Sequence, residues 1–145
     1  AEFKDARFTY NQTFSQSGYA APYVLVRPLG FWFENRTQSH GHLNSARAVA
    51  EGQADIAALD AVSWRLIQRY ESFADQMRIL EWTEPTPALP YISAAGRDQK
   101  AMFEAISAAI TALTETDRKA LGIKRLVAIG KDDYLAIENP PDNDS

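Results

Sequence analysis

Apolar and polar positions alternate through residues 6 to 11, ARFTYN, with Phe8 and Tyr10 on one side, which predicts a strand. The period changes after the polar run that follows. GYAAPYVLVRPLG, 18 to 30, predicts a helix carrying Ala20, Val24 and Leu25 inward. Pro22 fits that helix only in a first turn, where backbone donors are free, or if the helix starts later than the preceding serines imply. HLNSARAVAEG, 42 to 52, sets Leu43, Ala46, Val49 and Ala50 on one face and stops at Gly52, a residue suited to a left-handed cap. ADIAALD, 54 to 60, is apolar on both alternating faces between acidic ends, the pattern of a strand buried in a parallel sheet. Val62, Leu66 and Tyr70 mark a helix in AVSWRLIQRY, MRILEWT at 77 to 83 predicts a further strand, and FENRTQSH at 34 to 40 leaves room for one more.

Strands alternating with helices imply parallel pairing through right-handed helical crossovers, hence an α/β fold, a three-layer sandwich with a mainly parallel sheet. The strongest amphipathic pattern comes later. In DQKAMFEAISAAITALTE, 98 to 115, Asp98 can cap a helix whose Met102, Ile106, Ala109, Ile110 and Leu113 form one stripe, with Phe103 at its border. Leaving such a stripe wet would be costly at about 1.5 to 3 kcal/mol per large apolar side chain. It is therefore expected to pack on the chain's own sheet or, by preference, against a second copy in a homodimer.

Composition narrows the function classes. The chain has 145 residues, 46% hydrophobic and 23% charged, with a net charge of −4, enough apolar mass for a core. Its basic residues are scattered, so nucleic acid is not an expected partner. No apolar run approaches the roughly 18 residues of a membrane span, and the opening AEFKDARF reads as neither signal peptide nor lipid anchor. Zero cysteines exclude disulfides, thiolate metal sites and cysteine catalysis. NPPDNDS, 139 to 145, is too polar and proline-rich to order itself and is expected to be a disordered tail.

Candidate chemistry gathers where predicted strands give way to helices, the edge at which open parallel sheets hold ligands. Three polar stretches fall there: Thr13, Ser15, Gln16 and Ser17; the segment Ser39 to Ser45, which includes His42; and Asp60 with Ser63. Helix starts offer unpaired N–H groups and a positive dipole end, and neighbouring hydroxyls add donors, an environment for a small anion. The same serines and Asp60 also suit plain helix capping. His40 and His42 with Asp60 could chelate a metal, yet a second histidine cluster is lacking and no metal or cofactor is expected. GxSxG, GxxxxGK[ST] and HExxH are absent. A Ser17, His42 and Asp60 set could be assembled for hydrolysis, but all three stand at helix starts, which favours binding over a proton relay.

The runs NQTFSQSGY, SHGHLNSARAVAEGQADIAALDAVSW and RILEWTEPTPALPYI resemble the second lobe and return crossing of phosphonate-type periplasmic substrate-binding proteins of ABC transporters, over roughly residues 7 to 137. The block His42 to Trp64 is the most specific part. The resemblance implies one lobe of a type 2 periplasmic-binding fold: a ligand-binding lobe with its return crossing over 6–95, a helical segment over 96–138 and the tail. It implies that the chain begins at the crossing into the second lobe, as a fragment or as a single-lobed relative. It further implies a periplasmic transporter component, not an enzyme, with a small anionic ligand (phosphonate, phosphate or similar) and a membrane permease as partner. Thr13, Ser15, Gln16, Ser17, His42 and Asp60 are then the ligand-binding candidates, with Ser15, Ser17 and His42 donating to the anion. Gln16 and Gly41 stand where the family often carries hydroxyl residues. A ligand-sensing domain of the same fold and a small hydrolase using His42 and Asp60 are the alternative readings.

Overall fold

β1 (Phe8–Tyr10) forms the middle of a three-stranded sheet, flanked by β2 (Arg36–Gln38) and β3 (Ile56–Ala57) in the order β2-β1-β3. Both pairings are parallel, with Phe8 opposite Arg36 and Ile56. This is a computed structural model, and it describes residues 3–135. The tail 139–145 lies outside the described residues. The helices are α1 (Ala21–Val26), α2 (His42–Ala50), α3 (Ala61–Tyr70), α4 (Gln99–Ala112) and α5 (Glu115–Leu121). The chain divides into two units, Ala1–Pro85 with Leu135–Ser145, and Thr86–Tyr134.

In the first unit, strand alternation sends Phe8 to one face of the sheet and Thr9 to the other. Phe8 packs with Val26 and Phe33, and Tyr10, Trp32 and Ile56 pack against them. Thr9 is buried on the opposite face, where its hydroxyl donates to the Thr37 carbonyl at 3.1 Å. α2 contacts β1 and β3, and its Ala46 joins Ile67 of α3 and Ala74 in a second apolar cluster. Helix, sheet and helix thus layer as the alternating pattern predicts.

α1 departs from expectation in its start and in the face it buries. Residues Gln16–Ala20 form a π-turn, in which the N–H groups of Ala20 and Ala21 reach Ser15 and Gln16, five residues back. Pro22 then sits in the first turn of α1. An unbroken α-helix from Ser17 onward would press the Pro22 ring on the Gly18 carbonyl, and the wider turn relieves that clash. Val24 and Leu25 face solvent, while Tyr19, Tyr23 and Val26 are buried. Tyr19 and Tyr23, one turn apart, each set a ring edge against Trp32 at 5.3 and 5.1 Å. That aromatic pair takes the inner face, and residues 24 and 25 are rotated away from it by the helical period.

The helix marked by Val62, Leu66 and Tyr70 forms as α3, with those three residues exposed and Ile67 entering the core. One further expectation is corrected. No strand forms at 77–83. A strand needs a neighbouring edge to pair with, and none of the three strands pairs there; Ile79, Leu80 and Trp82 lie exposed instead.

In the second unit Asp98 caps α4 by accepting from the Ala101 N–H at 3.0 Å, as its position predicts. Ile110 is buried and Met102, Ile106 and Leu113 are half-buried, whereas Phe103 and Ala109 are exposed. Thr114 caps α5 through the Asp117 N–H, and Arg118 donates back to the Thr111 carbonyl at 3.0 Å. Gly122, with φ of 67°, closes α5 in the left-handed region where glycine carries no Cβ penalty.

Candidate functional site

Each strand of the sheet ends at a helix start, so the three polar stretches fall on one edge. β1 runs into Asn11 and the serine turn, β2 into Ser39 and α2, and β3 into Asp60 and α3. With the order β2-β1-β3, β1 and β3 are neighbours although β2 lies between them in sequence, and such a change of direction in strand order is the kind of position at which open parallel sheets hold ligands.

His42 is the centre of this edge. Its Nε2 lies 3.3 Å from Ser17 Oγ, 3.3 Å from Asn11 Nδ2 and 3.4 Å from Asp60 Oδ2. One imidazole nitrogen either donates or accepts a single good hydrogen bond, so three partners cannot all be satisfied by it. Their demands also conflict. Asp60 requires a proton on Nε2, and the Asn11 amide group, as oriented, requires a lone pair there. Two buried atoms close by, Asn11 Oδ1 and His42 Nδ1, have no partner within the described residues. Buried polar atoms normally find one.

Asp60 is anchored from the α3 side. Its Oδ1 accepts from the Val62 and Ser63 N–H groups at 2.9 and 2.8 Å, and its Oδ2 accepts from the Ser63 hydroxyl at 2.5 Å. Burial alone would raise the carboxyl pKa, but the Ser63 bonds, the facing His42 and the Val62 N–H together lower it below the ordinary aspartate value. Asp60 is therefore a charged cap that also orients the histidine ring.

α2 begins differently. Gly41 supplies no side-chain cap, leaving the first-turn N–H groups of a nine-residue helix pointing at the edge. Around it, Ser39 and the fully buried Ser45 share a 2.6 Å hydrogen bond, and Ser39 also donates toward the Tyr10 and Gly41 carbonyls. Those two hydroxyls rivet α2 to β1 and are spent on structure.

Of the residues singled out from sequence, Ser17, His42 and Asp60 meet directly. Ser15 accepts the Gly18 N–H at 3.1 Å as the cap of the serine turn. Thr13 and Gln16 stand in the same loop, half-buried, and among the described residues no side-chain hydrogen bond reaches them. The two histidines diverge: His40, at φ of 65°, sets Nδ1 3.0 Å from Gln38, away from the His42–Asp60 contact. Among the described residues no three potential ligands come together for a metal ion. No helix among them is long and apolar enough to cross a membrane.

Asn11 went unnoticed in the sequence, yet it is as close to His42 as Ser17 is. Its detectable signal was Gly18. A Cβ there would stand 2.0 Å from Asn11 Oδ1 and 3.2 Å from Ser15 Oγ, so a bare glycine is what admits the Asn11 carboxamide beside the histidine.

The arrangement suits hydrogen bonding better than nucleophilic attack. In a serine relay the hydroxyl and carboxylate engage opposite ring nitrogens. Here Ser17 and Asp60 share Nε2, and Nδ1 is buried with no partner among the described residues.

The family model described as ABC transporter, phosphonate, periplasmic substrate-binding protein matches residues 1–134 of the 145. None of the curated proteins matches the chain.

Proposed function

We propose, from the premise that the chain belongs to the phosphonate periplasmic substrate-binding family of ABC transporters, that its carboxyl sheet edge holds the anionic head of a phosphonate. Membership gives the general role: a substrate-binding component with a small-molecule ligand, delivering to a transporter permease outside the cytoplasm. The finer assignment rests on one observation, the crowding of Ser17, Asn11 and Asp60 on a single nitrogen of His42.

Because that nitrogen satisfies only one of its three neighbours, Ser17 and Asn11 retain donors that an oxyanion can take. The uncapped start of α2 adds backbone N–H groups and a positive dipole end. His42 then turns toward the ligand with Asp60 behind it, so Asp60 acts as a positioning carboxylate and not as a direct anion contact. Ser15 shapes the serine turn through Gly18. Thr13 and Gln16 border the same loop and serve as outer contacts. The protein performs no bond-breaking step in this reading, in keeping with the shared nitrogen and the unengaged Nδ1.

Calorimetric titration of the 145-residue chain with methylphosphonate tests this. Binding that weakens in Ser17→Ala and His42→Ala, while both variants keep the wild-type circular dichroism spectrum, is the expected result. Unchanged affinity in both variants would refute the assignment.

A further inference from the structure

The stripe of Val62, Leu66 and Tyr70, spaced one turn apart on α3, is exposed at 53%, 41% and 68%. Beside it lies a shallow groove of about 270 Å³, lined by Leu43 of α2 and by Ser63, Leu66, Ile67, Tyr70 and Glu71. The groove is continuous with the polar edge. Ser63, on its lining, donates its hydroxyl to Asp60 Oδ2, and Leu43 is the residue after His42. Leu66 stands three residues beyond Ser63, so about 5 Å of travel along α3 leads from the polar cluster onto apolar surface.

We infer that this groove receives the organic substituent of the ligand and selects phosphonates that carry an uncharged apolar group of butyl or phenyl size. The inference rests on the anion-head assignment above. A head group at His42 and Ser17 has to send its carbon-bonded side away from the donors, and the α2–α3 groove is the apolar surface that shares residues with that cluster. Its one charged lining residue, Glu71, faces Arg47 at 3.7 Å, which offsets the carboxylate and disfavours a role for it in holding a cationic substituent. Inorganic phosphate has nothing to place there, and methylphosphonate reaches only the entrance.

Each methylene removed from water strengthens binding by about fourfold. Three additional methylenes, half covered by an open groove, should therefore bring about a tenfold gain for butylphosphonate over methylphosphonate. The test is calorimetric titration of the full chain and of its Leu66→Ser and Tyr70→Ser variants with phosphate, methylphosphonate and butylphosphonate. Both substitutions fall on exposed positions. Expected is the butyl advantage in the wild type, most of it lost in Leu66→Ser with methylphosphonate affinity unchanged, and a smaller loss in Tyr70→Ser. Equal affinities for the two phosphonates, or an equal loss of both in Leu66→Ser, would overturn the groove assignment and leave the head-group reading standing. Absence of binding by either phosphonate would overturn both. Light scattering that reveals a dimer abolished by Leu66→Ser would assign the groove to a second copy of the chain and overturn the ligand assignment as well.

Discussion

At the amino edge of the sheet Arg7 and Asp55 close on each other, with Arg7 N–H, Nε and Nη2 donating to the carboxylate at 2.8, 3.0 and 2.6 Å. At the carboxyl edge, three side chains crowd one nitrogen of His42 at 3.3 to 3.4 Å, and two buried polar atoms have no partner among the described residues. The first cluster is complete as it stands, although both of its side chains are half in solvent. The second is more enclosed and less satisfied. Since buried polar groups are stabilising only when paired, an edge left short of partners has donors to spare for the anion proposed above, whereas a saturated ion pair clips two strand starts together.

The sharpest way to break this comparison is to remove the histidine. A hydrogen bond to a charged group contributes about 1.5 to 3 kcal/mol, so His42→Ala should weaken methylphosphonate binding roughly ten- to a hundredfold by calorimetry. Arg7→Ala, on the opposite edge, should leave that affinity where it was.

Gly18→Ala tests whether the carboxyl edge is built to admit Asn11. The new methyl has to displace the Asn11 carboxamide, and overpacking of this kind costs about 1 to 2 kcal/mol in denaturant unfolding. In an Asn11→Ala background the penalty should shrink or vanish, because the colliding atom is gone. A penalty of equal size in both backgrounds would mean that Gly18 serves the turn and not the asparagine.

Asp60→Ala removes the α3 cap and should cost about 1 kcal/mol at neutral pH. Its pKa is lowered in the folded state, so the stabilisation is present above the ordinary aspartate range and fades as pH falls through the lowered value. The gap between wild type and variant should narrow in acid unfolding curves. Asp55→Asn should have the smallest effect, for exposed ion pairs contribute little. With its pKa lowered from 3.8 to about 2 by the Arg7 hydrogen bonds, Asp55 lends its contribution fully above pH 3.8 and loses it toward pH 2. Wild type and Asp55→Asn should therefore converge in strong acid.

Much of the fold was legible because its signals are local. Strand alternation around Phe8, the Gly52 stop after α2 and the Asp98 cap of α4 each depend on a few neighbouring residues, and each element stands where it was expected. Faces and pairings were harder to read. Val24 and Leu25 look like core residues until Trp32, beyond the end of α1 and outside its helical period, draws Tyr19 and Tyr23 inward. Residues 77–83 have strand-like composition, but a ladder requires a neighbouring strand that local pattern does not reveal. Among the candidate residues, Ser17, His42 and Asp60 were marked by their positions after strands. Asn11 carries no signature of its own and becomes visible only through the close approach of Gly18.

The contrast between the two edges is tested most directly by recording backbone amide shifts of the ¹⁵N-labelled chain during titration with methylphosphonate. The largest changes should fall on Ser17, Gly18, His42 and Leu43, with the amides of Arg7 and Asp55 unmoved. Saturable shifts centred on Arg7 and Asp55, or binding that leaves the amides at the carboxyl edge in place, would contradict the account.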